Sequence, residues 1–592
     1  MTTAANASGV HWDLSPLAPD AATAMAQIAT ALEDCRAFEA AYRGTVATMD
    51  GPALAGALAT LAELDQRLSR YGSYAHLRET TDIADPETRD LNAQVERSYV
   101  EAANALRFFD LEWLALDEQT AERLASAPEV AADSHHLRSQ RRFAPFTLSE
   151  DEERMLAERA PAAAGAWHTL FSQITSTLET PFDAGDGEEP HGIDRLLSYM
   201  RSPDGAFRRR AFDTLYTMLR PHTPTLAHCY DTLVADRLTI DRLRGYAGPM
   251  DAAHLKNELP PAVVDAMMDS VSRHYHLAQR WFTTKAELLG LEKLTIADQY
   301  APMGEGRVVS FDEGIALVTE AFDGFSTRVA DVARAFITDD RVDAEPRQGK
   351  RGGAFCSPIS NEFGPYVLLN HTDKMADVLT IAHEFGHGMH FQFSYAKQTP
   401  LSATSGIAVC EVPSTFAEQI TYDHLLANEA DPDTRRALAC ERVEGAFATI
   451  FRQVVLARYE QLCYAQRAEG TALTAERLGD NWHAANLAYY GDAVEMPEEY
   501  RMGWAYIPHF IHTRFYTYSY AFALLVSFAL MAQHRRMGDA FVAAYTAFLE
   551  RGGSASPADL LGDLGLKLDE PAVWDDGFAE LERMIEEARG AV

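Results

Sequence analysis

The chain has 592 residues, 47% hydrophobic and 23% charged, a balance that points to globular domains and excludes long disordered stretches. Its formal net charge of −35 repels phosphate backbones and anionic lipid surfaces, which sets nucleic acid and membranes aside as partners. Six scattered cysteines with no C-x-x-C pair read as reduced thiols of a cytoplasmic protein, not as a disulfide framework.

The first twenty residues, Met1–Asp20, show neither a basic n-region nor a continuous apolar h-region, so no secretory signal is expected. "ALAGALATLAELDQRLSRYGSYAHLRE" and "NAQVERSYVEAANALRFFDLEWLAL" repeat apolar residues every three or four positions, the spacing of amphipathic helices. Ser149, followed by acids, opens another helix, and Pro161 breaks it. The acidic, Gly- and Pro-containing stretch Asp183–Gly192 reads as a loop or hairpin turn. It divides the chain into an N-terminal helical region, 1–192, and a second region, 193–592. Beyond it, Ser202 with Pro203, and later Ser556 with Pro557, read as helix N-caps followed by proline at the first helical position. "KLTIADQYAP" and "PYVLLNH" are short strand-like runs that predict a small sheet beside a large helical body. The most apolar run, Ala521–Ala532, falls short of the roughly 20 residues a bilayer span needs and reads as a core helix.

One stretch does not fit an ordinary buried helix. "TIAHEFGHGMHFQ" (Thr380–Gln392) sets three histidines, a glutamate and two glycines within an apolar pattern. On a helix, His383 and His387 stand one turn apart on one face, where two imidazoles can bind a single Zn²⁺. Glu384 projects about 100° around from His383 and can serve the open side of the metal as general base, the H-E-x-x-H arrangement. A catalytic zinc needs a third protein ligand, and Glu411 follows His387 by 24 residues in another apolar-periodic stretch. A buried lone carboxylate is costly there unless a cation partners it. Glu418, two turns further, is a candidate acceptor for a ligand imidazole. Gly386 and Gly388 each weaken a helix by about 1 kcal/mol relative to alanine, so close backbone approach is expected there. Val378, Ala382, Phe385, Met389 and Phe393 form the core face, and His390 reads as a packing or hydrogen-bonding histidine because a fourth ligand would close the site.

"HEFGH" with "EVPS" downstream resembles the thimet oligopeptidase/oligoendopeptidase F family of zinc metallopeptidases, the M3 peptidases. "LTIADQYAPM", "KRGGAFC", "MADVLTIAHEFGHGMHFQ", "IPHFIHTRFYTYSYAFALL" and "GGSASPADLLGDLG" are similar to its oligoendopeptidase F branch. The resemblance implies a mainly α, two-lobed, zincin-like fold with a deep substrate channel and a small β-sheet near the active-site helix. It makes 193–592 the catalytic region. It implies one Zn²⁺ per chain on His383, His387 and Glu411, with Glu384 as base and proton shuttle. It also implies that a histidine and tyrosines of "PHFIHTRFYTYSY" bind substrate and stabilise the transition state. His509 best matches that histidine, with His512 as its rival. Tyr516 and Tyr520 best match the tyrosines, while Tyr518 points elsewhere and stands as a substrate-binding candidate. Gly352, Gly353 and Ala354, in the Gly-rich loop, are implied to contact the peptide.

The function expected is hydrolysis of internal bonds in short oligopeptides. Two alternatives stand beside it: a zinc carboxypeptidase or dipeptidase of related helical fold, and a non-catalytic peptide-binding protein with a vestigial metal site.

Overall fold

A computed structural model describes residues 7–185, 187–304 and 307–590; Met1–Asn6 of the leader reading and Asp186 of the expected boundary turn lie outside them. The described chain is mainly helical, with three small sheets. It divides into two compact units, each assembled from three separate segments. One comprises Met1–Ala144, Gly306–Asn428 and Leu530–Leu568; the other Pro145–Glu305, Glu429–Ala529 and Asp569–Val592.

The first unit begins with long helices over Ala21–Tyr42, Gly51–Thr81 and Pro86–Ala115. Each starts where the pattern of its side chains allows: Asp20, Asp50 and Asp85 accept from the backbone N–H of Thr23, Ala53 and Glu87. Their apolar faces close on one core that includes Phe38, Phe108, Phe109 and Trp113. A second core joins Trp12 to Tyr366 and Leu368, so the N-terminal segment covers the sheet. In that sheet the strand Tyr366–Leu368 is central, parallel to Val342–Asp343 and antiparallel to Phe355–Ser357. The helix Met375–Tyr395 follows it and packs along Ile407–Asn428.

The second unit holds the hairpin Glu179–Asp183/Glu188–Gly192, formed where the sequence predicts a turn. Its helices bury several charges in pairs. Lys285 meets Glu444 at 2.6 Å, Arg208 meets Asp298 at 2.7 Å, and Arg514 grips Asp241 with two hydrogen bonds of 2.5 and 2.6 Å. The helix Tyr518–Met537 contains the apolar run Ala521–Ala532, whose members from Ala521 to Met531 are buried. Among the described residues no helix is long and apolar enough to cross a membrane. All six cysteines are free.

Two local expectations are corrected. The helix Gly205–Leu219 is capped by Asp204, whose carboxylate accepts from Ala206 and Phe207, so Ser202 is not the N-cap and Pro203 lies outside the helix. The run "KLTIADQYAP" contributes only Leu294–Thr295 to a strand. The reciprocal Thr295–Asp298 capping box then turns the chain into a 3₁₀ segment. By contrast Ser149 forms a capping box with Glu152, and Ser556 caps Pro557–Gly562 as expected.

Candidate active site

The helix Met375–Tyr395 places His383 and His387 one turn apart, with ring centroids 4.8 Å from each other. The helix Ile407–Asn428 brings Glu411 opposite. Glu411 Oε2 lies 3.7 Å from His383 Nε2 and 3.6 Å from His387 Nε2. Donors about 2.0–2.2 Å from a tetrahedral zinc lie about 3.4 Å apart, so the three are set as one ion would require. Among the described residues they form the group of His, Cys, Asp and Glu side chains whose donor atoms lie within 4.8 Å of one another.

The far side of each ring is also engaged. His383 Nδ1 is 2.6 Å from Glu418 Oε1, and Cys410 Sγ stands 3.9 Å from His387 Nδ1. The Glu418 contact turns Nε2 of His383 towards Glu411, the orientation a metal-binding imidazole needs. Helix periodicity explains the pairing: Glu411 and Glu418 are seven residues apart and share a face of their helix.

Gly386 makes this approach possible. A Cβ there would lie 2.6 Å from Ser414 Cα and 2.8 Å from the Pro413 carbonyl oxygen, backbone that cannot step aside. Pro413 sits inside its helix, and Ser414 Oγ donates to the Glu411 carbonyl at 2.9 Å, which fixes the turn that carries the ligand. At Gly388 the added carbon would meet the Phe336 ring at 2.6 Å. The expected core face is buried throughout, and His390 is a packing histidine: it is 1% exposed, both ring nitrogens lack hydrogen-bond partners, and burial lowers its pKa to about 4.

The electrostatics are those of a crowded, desolvated anionic site. Burial raises Glu384 to about 7, with the charge of His383 opposing and those of Glu411 and Glu418 adding; a backbone hydrogen bond from Cys356 favours its ionised form. Burial also raises Glu411. At His383 burial disfavours the cation, but the Glu418 hydrogen bond and the surrounding carboxylates outweigh it and lift the pKa to about 9. Burial and the charge of His383 push His387 well down. A divalent cation would relieve the repulsion among these carboxylates, so the donor set fits such an ion in charge as well as in geometry.

The Gly-rich loop lies in the same unit. Gly353 takes φ +81°, open to glycine at little cost, and Asn370 Nδ2 donates to the carbonyls of Arg351 and Gly353 at 3.0 and 2.8 Å. Gly353 and Ala354 line a cavity of about 300 Å³ with Thr380 and Ile381 of the histidine helix; Gly352 is exposed beside them. Lys350 of this basic loop is buried instead, paired with Asp343 at 2.6 Å. Sequence reasoning missed the Cys356 backbone donor and the Asn370 brace. A backbone N–H leaves no mark on composition, and an asparagine after a strand has many ordinary uses.

The histidine–tyrosine segment belongs to the second unit. His509, on the short helix Pro508–His512, stacks near Tyr516 with centroids 6.1 Å apart and meets Tyr520 edge-on at 6.2 Å. Tyr516 and Tyr520 are 5.1 Å apart. His512 turns elsewhere, with Ser172 Oγ 3.4 Å from its Nε2 and the His168 ring at 5.2 Å. Tyr518 does not face a peptide: it is fully buried, and its hydroxyl accepts from Asn257 at 2.8 Å. What aims Tyr516 is the turn before it. Phe515 adopts φ +48°, held by its N–H to Glu460 Oε2 at 2.9 Å, while Arg237 donates to Phe510 O at 2.8 Å and to Ile511 O. A bulky residue in that region is strained, and nothing in the local sequence announces it.

Residues 198–580 match the family model described as Peptidase family M3, and residues 112–179 match that of Oligopeptidase F. Oligopeptidase PepF of Bacillus subtilis is 27% identical over 529 residues, spanning 88% of this chain and 78% of its own. The plasmid-borne oligoendopeptidase F of Lactococcus lactis subsp. cremoris is 26% identical over 542 residues, 89% of each chain. Among solved structures, one from Chlamydophila abortus superposes with a TM-score of 0.85 over 100% of both chains at 24% identity. Oligoendopeptidase-F from Enterococcus faecium gives 0.70 at 21% identity, over 96% of this chain and 99% of its own. The family match takes in both histidines, Glu384, Glu411 and the His509–Tyr520 segment alike, and this chain belongs to peptidase family M3, as a metallopeptidase of the oligoendopeptidase F branch.

Proposed function

We propose that the chain is a zinc-dependent endopeptidase that cleaves internal bonds of short oligopeptides. The convergence of His383 Nε2, His387 Nε2 and Glu411 Oε2, with Glu384 on the adjoining helix position, carries this reading. His383, His387 and Glu411 would hold one zinc per chain, which would supply Lewis acidity to the scissile carbonyl and to water. Glu384, one position from His383 and desolvated by burial, takes a proton from the attacking water and returns it to the departing amine. Glu418 holds the ring of His383 in register through the hydrogen bond of 2.6 Å. Tyr516 and Tyr520 donate to the carbonyl oxygen as charge gathers on it, and His509, kept neutral by burial first and by nearby cations second, can donate alongside them. The loop at Gly352, Gly353 and Ala354 binds the peptide backbone. The two family matches support a division near residue 192 into an N-terminal helical region and a catalytic region, and the six free cysteines favour the cytoplasm.

The test is digestion of a ten-residue peptide blocked at both ends, with products read by mass spectrometry. Internal fragments are expected, abolished by a chelator and restored by zinc. Glu384→Gln should lower kcat by about 10²–10⁴-fold while keeping its metal. Loss of residues from one end alone would favour a carboxypeptidase or dipeptidase. Full activity in Glu384→Gln would refute the mechanism.

A further inference from the structure

The second unit contains a cavity of about 410 Å³ whose walls include Arg452, Tyr300, Tyr500, Tyr506 and Gln299. Arg452, half-buried on the helix Phe451–Ala468, donates from Nη1 to the Tyr300 hydroxyl at 3.0 Å. Among the described residues no carboxylate pairs with it, and the polar groups around it are phenols, Tyr300 foremost. Three other interior cations of this unit are arranged differently. Arg208, Arg514 and Lys285 each hold a carboxylate at 2.5–2.7 Å. A desolvated guanidinium has five N–H donors and gains most from a planar anion that can accept two of them at once. Its lack of such a partner coincides with its facing a cavity.

The position adds to this. Arg452 lies near enough to His509 that its charge, after burial, helps to keep that imidazole neutral. Tyr506, on the cavity wall, precedes His509 by three residues, so the cavity adjoins the segment that carries the histidine–tyrosine cluster within the same unit. Asp194 and Arg201 stand at its exposed rim with opposite charges, which leaves discrimination to Arg452 inside. In a chain of net charge −35, most of the surface repels a carboxylate, and a phenol-lined cavity with an unpaired guanidinium is a place that attracts one.

We propose that this cavity is a subsite for a carboxylate of the bound peptide, with Arg452 as its anchor and the Tyr300 hydroxyl as the group that orients the guanidinium. The carboxylate is either the peptide's free C-terminus or an acidic side chain. The proposal rests on the peptidase reading and adds to it a preference among peptides.

One ten-residue sequence without acidic residues is made with a free C-terminus, with a C-terminal amide, and as an amide series in which Glu replaces each position in turn. KM is measured for the wild type, and direct binding of the same peptides is measured with the Glu384→Gln protein by fluorescence anisotropy. The plain amide should bind about tenfold or more weakly than the best carboxylate peptide, the loss of one charge-assisted contact. Recovery by the free C-terminus or by Glu at one position identifies the source. Arg452→Gln should erase the difference, Arg452→Lys should shrink it, and Tyr300→Phe should leave most of it. Equal KM and binding for all peptides in the wild type would overturn the subsite, as would an undiminished preference in Arg452→Gln. Should Arg452→Gln lack a cooperative melt, Arg452→Lys decides, and an unchanged preference there overturns the proposal. Cleavage of every peptide without preference defeats the subsite alone; no cleavage and no binding of any peptide defeats the peptidase reading, and the subsite with it.

Discussion

The donor cluster of the first unit and the aromatic cluster of the second hold their side chains by different means. His383, His387 and Glu411 lie on two regular helices, and each is fixed by a charged or polar neighbour within hydrogen-bonding or ion-pair reach. His509, Tyr516 and Tyr520 straddle an irregular turn, and their rings are placed by contacts with each other and by a strained Phe515. The first cluster depends on helix period and charge, the second on backbone conformation that distant residues impose. Perturbations of the two should therefore differ in kind: chemistry and metal affinity for the first, aim and local stability for the second.

The largest contrast lies within one segment. Tyr520→Phe should lower kcat by about 10²–10³-fold with little change in melting temperature, because in the proposed mechanism it removes a hydroxyl that donates to the reacting oxygen. Tyr518→Phe should do the reverse. It deletes the nearer of two buried acceptors of the Asn257 amide, the other being Ser519 Oγ at 3.2 Å, and should cost about 1–3 kcal/mol of stability with kcat nearly unchanged. Steady-state kinetics beside thermal melts of the two variants check this, and equal losses of kcat would erase the distinction between the two tyrosines.

In the first unit, Glu418→Gln should weaken zinc affinity by about 10–100-fold while leaving the fold intact, since it loosens the ring of His383 without removing a ligand. Competition with a chromophoric chelator reads the affinity. An unchanged value would mean that the carboxylate is a bystander.

The smallest effect sharpens the account of the Phe515 turn. Glu460 is fully buried, and burial raises its pKa to about 8, against the Phe515 N–H and the charges of Arg237 and Arg514. The folded state therefore binds this proton more tightly than the unfolded chain, whose carboxyl titrates near 4.5. Unfolding then releases protons between those two values, so stability falls as pH rises from about 4.5 to about 8 and levels off above, by an amount on the order of a few kcal/mol. Glu460→Gln should flatten this fall. Melting temperature against pH for both proteins measures it, and parallel curves would contradict the assignment.

The same contrast governs how much could be read from the sequence. The 3.6-residue period places His383, His387 and the buried face from Val378 to Phe393, and two glycines inside a helix signal close approach before any partner is known. Ser149 and Ser556 act as caps because the helix begins at once behind them. At Ser202 the neighbouring Asp204 competes with a stronger acceptor two residues nearer the helix and wins. His509 and His512 differ by three residues and cannot be ranked by spacing; tertiary contacts with Tyr516 on one side and Ser172 on the other separate them. Tyr518 is buried because the helix starts there and turns its first ring inward onto Asn257. Arg452 carries no local signal at all, since being unpaired depends on where every carboxylate in the unit lies.

Metal content of the purified protein, wild type beside Glu411→Ala, tests the central claim most directly. Convergence of two imidazoles and one carboxylate predicts one zinc per wild-type chain and a loss of nearly all of it when Glu411 is truncated, with the helical fold retained. A Glu411→Ala protein that keeps a full equivalent of tightly bound zinc would contradict it.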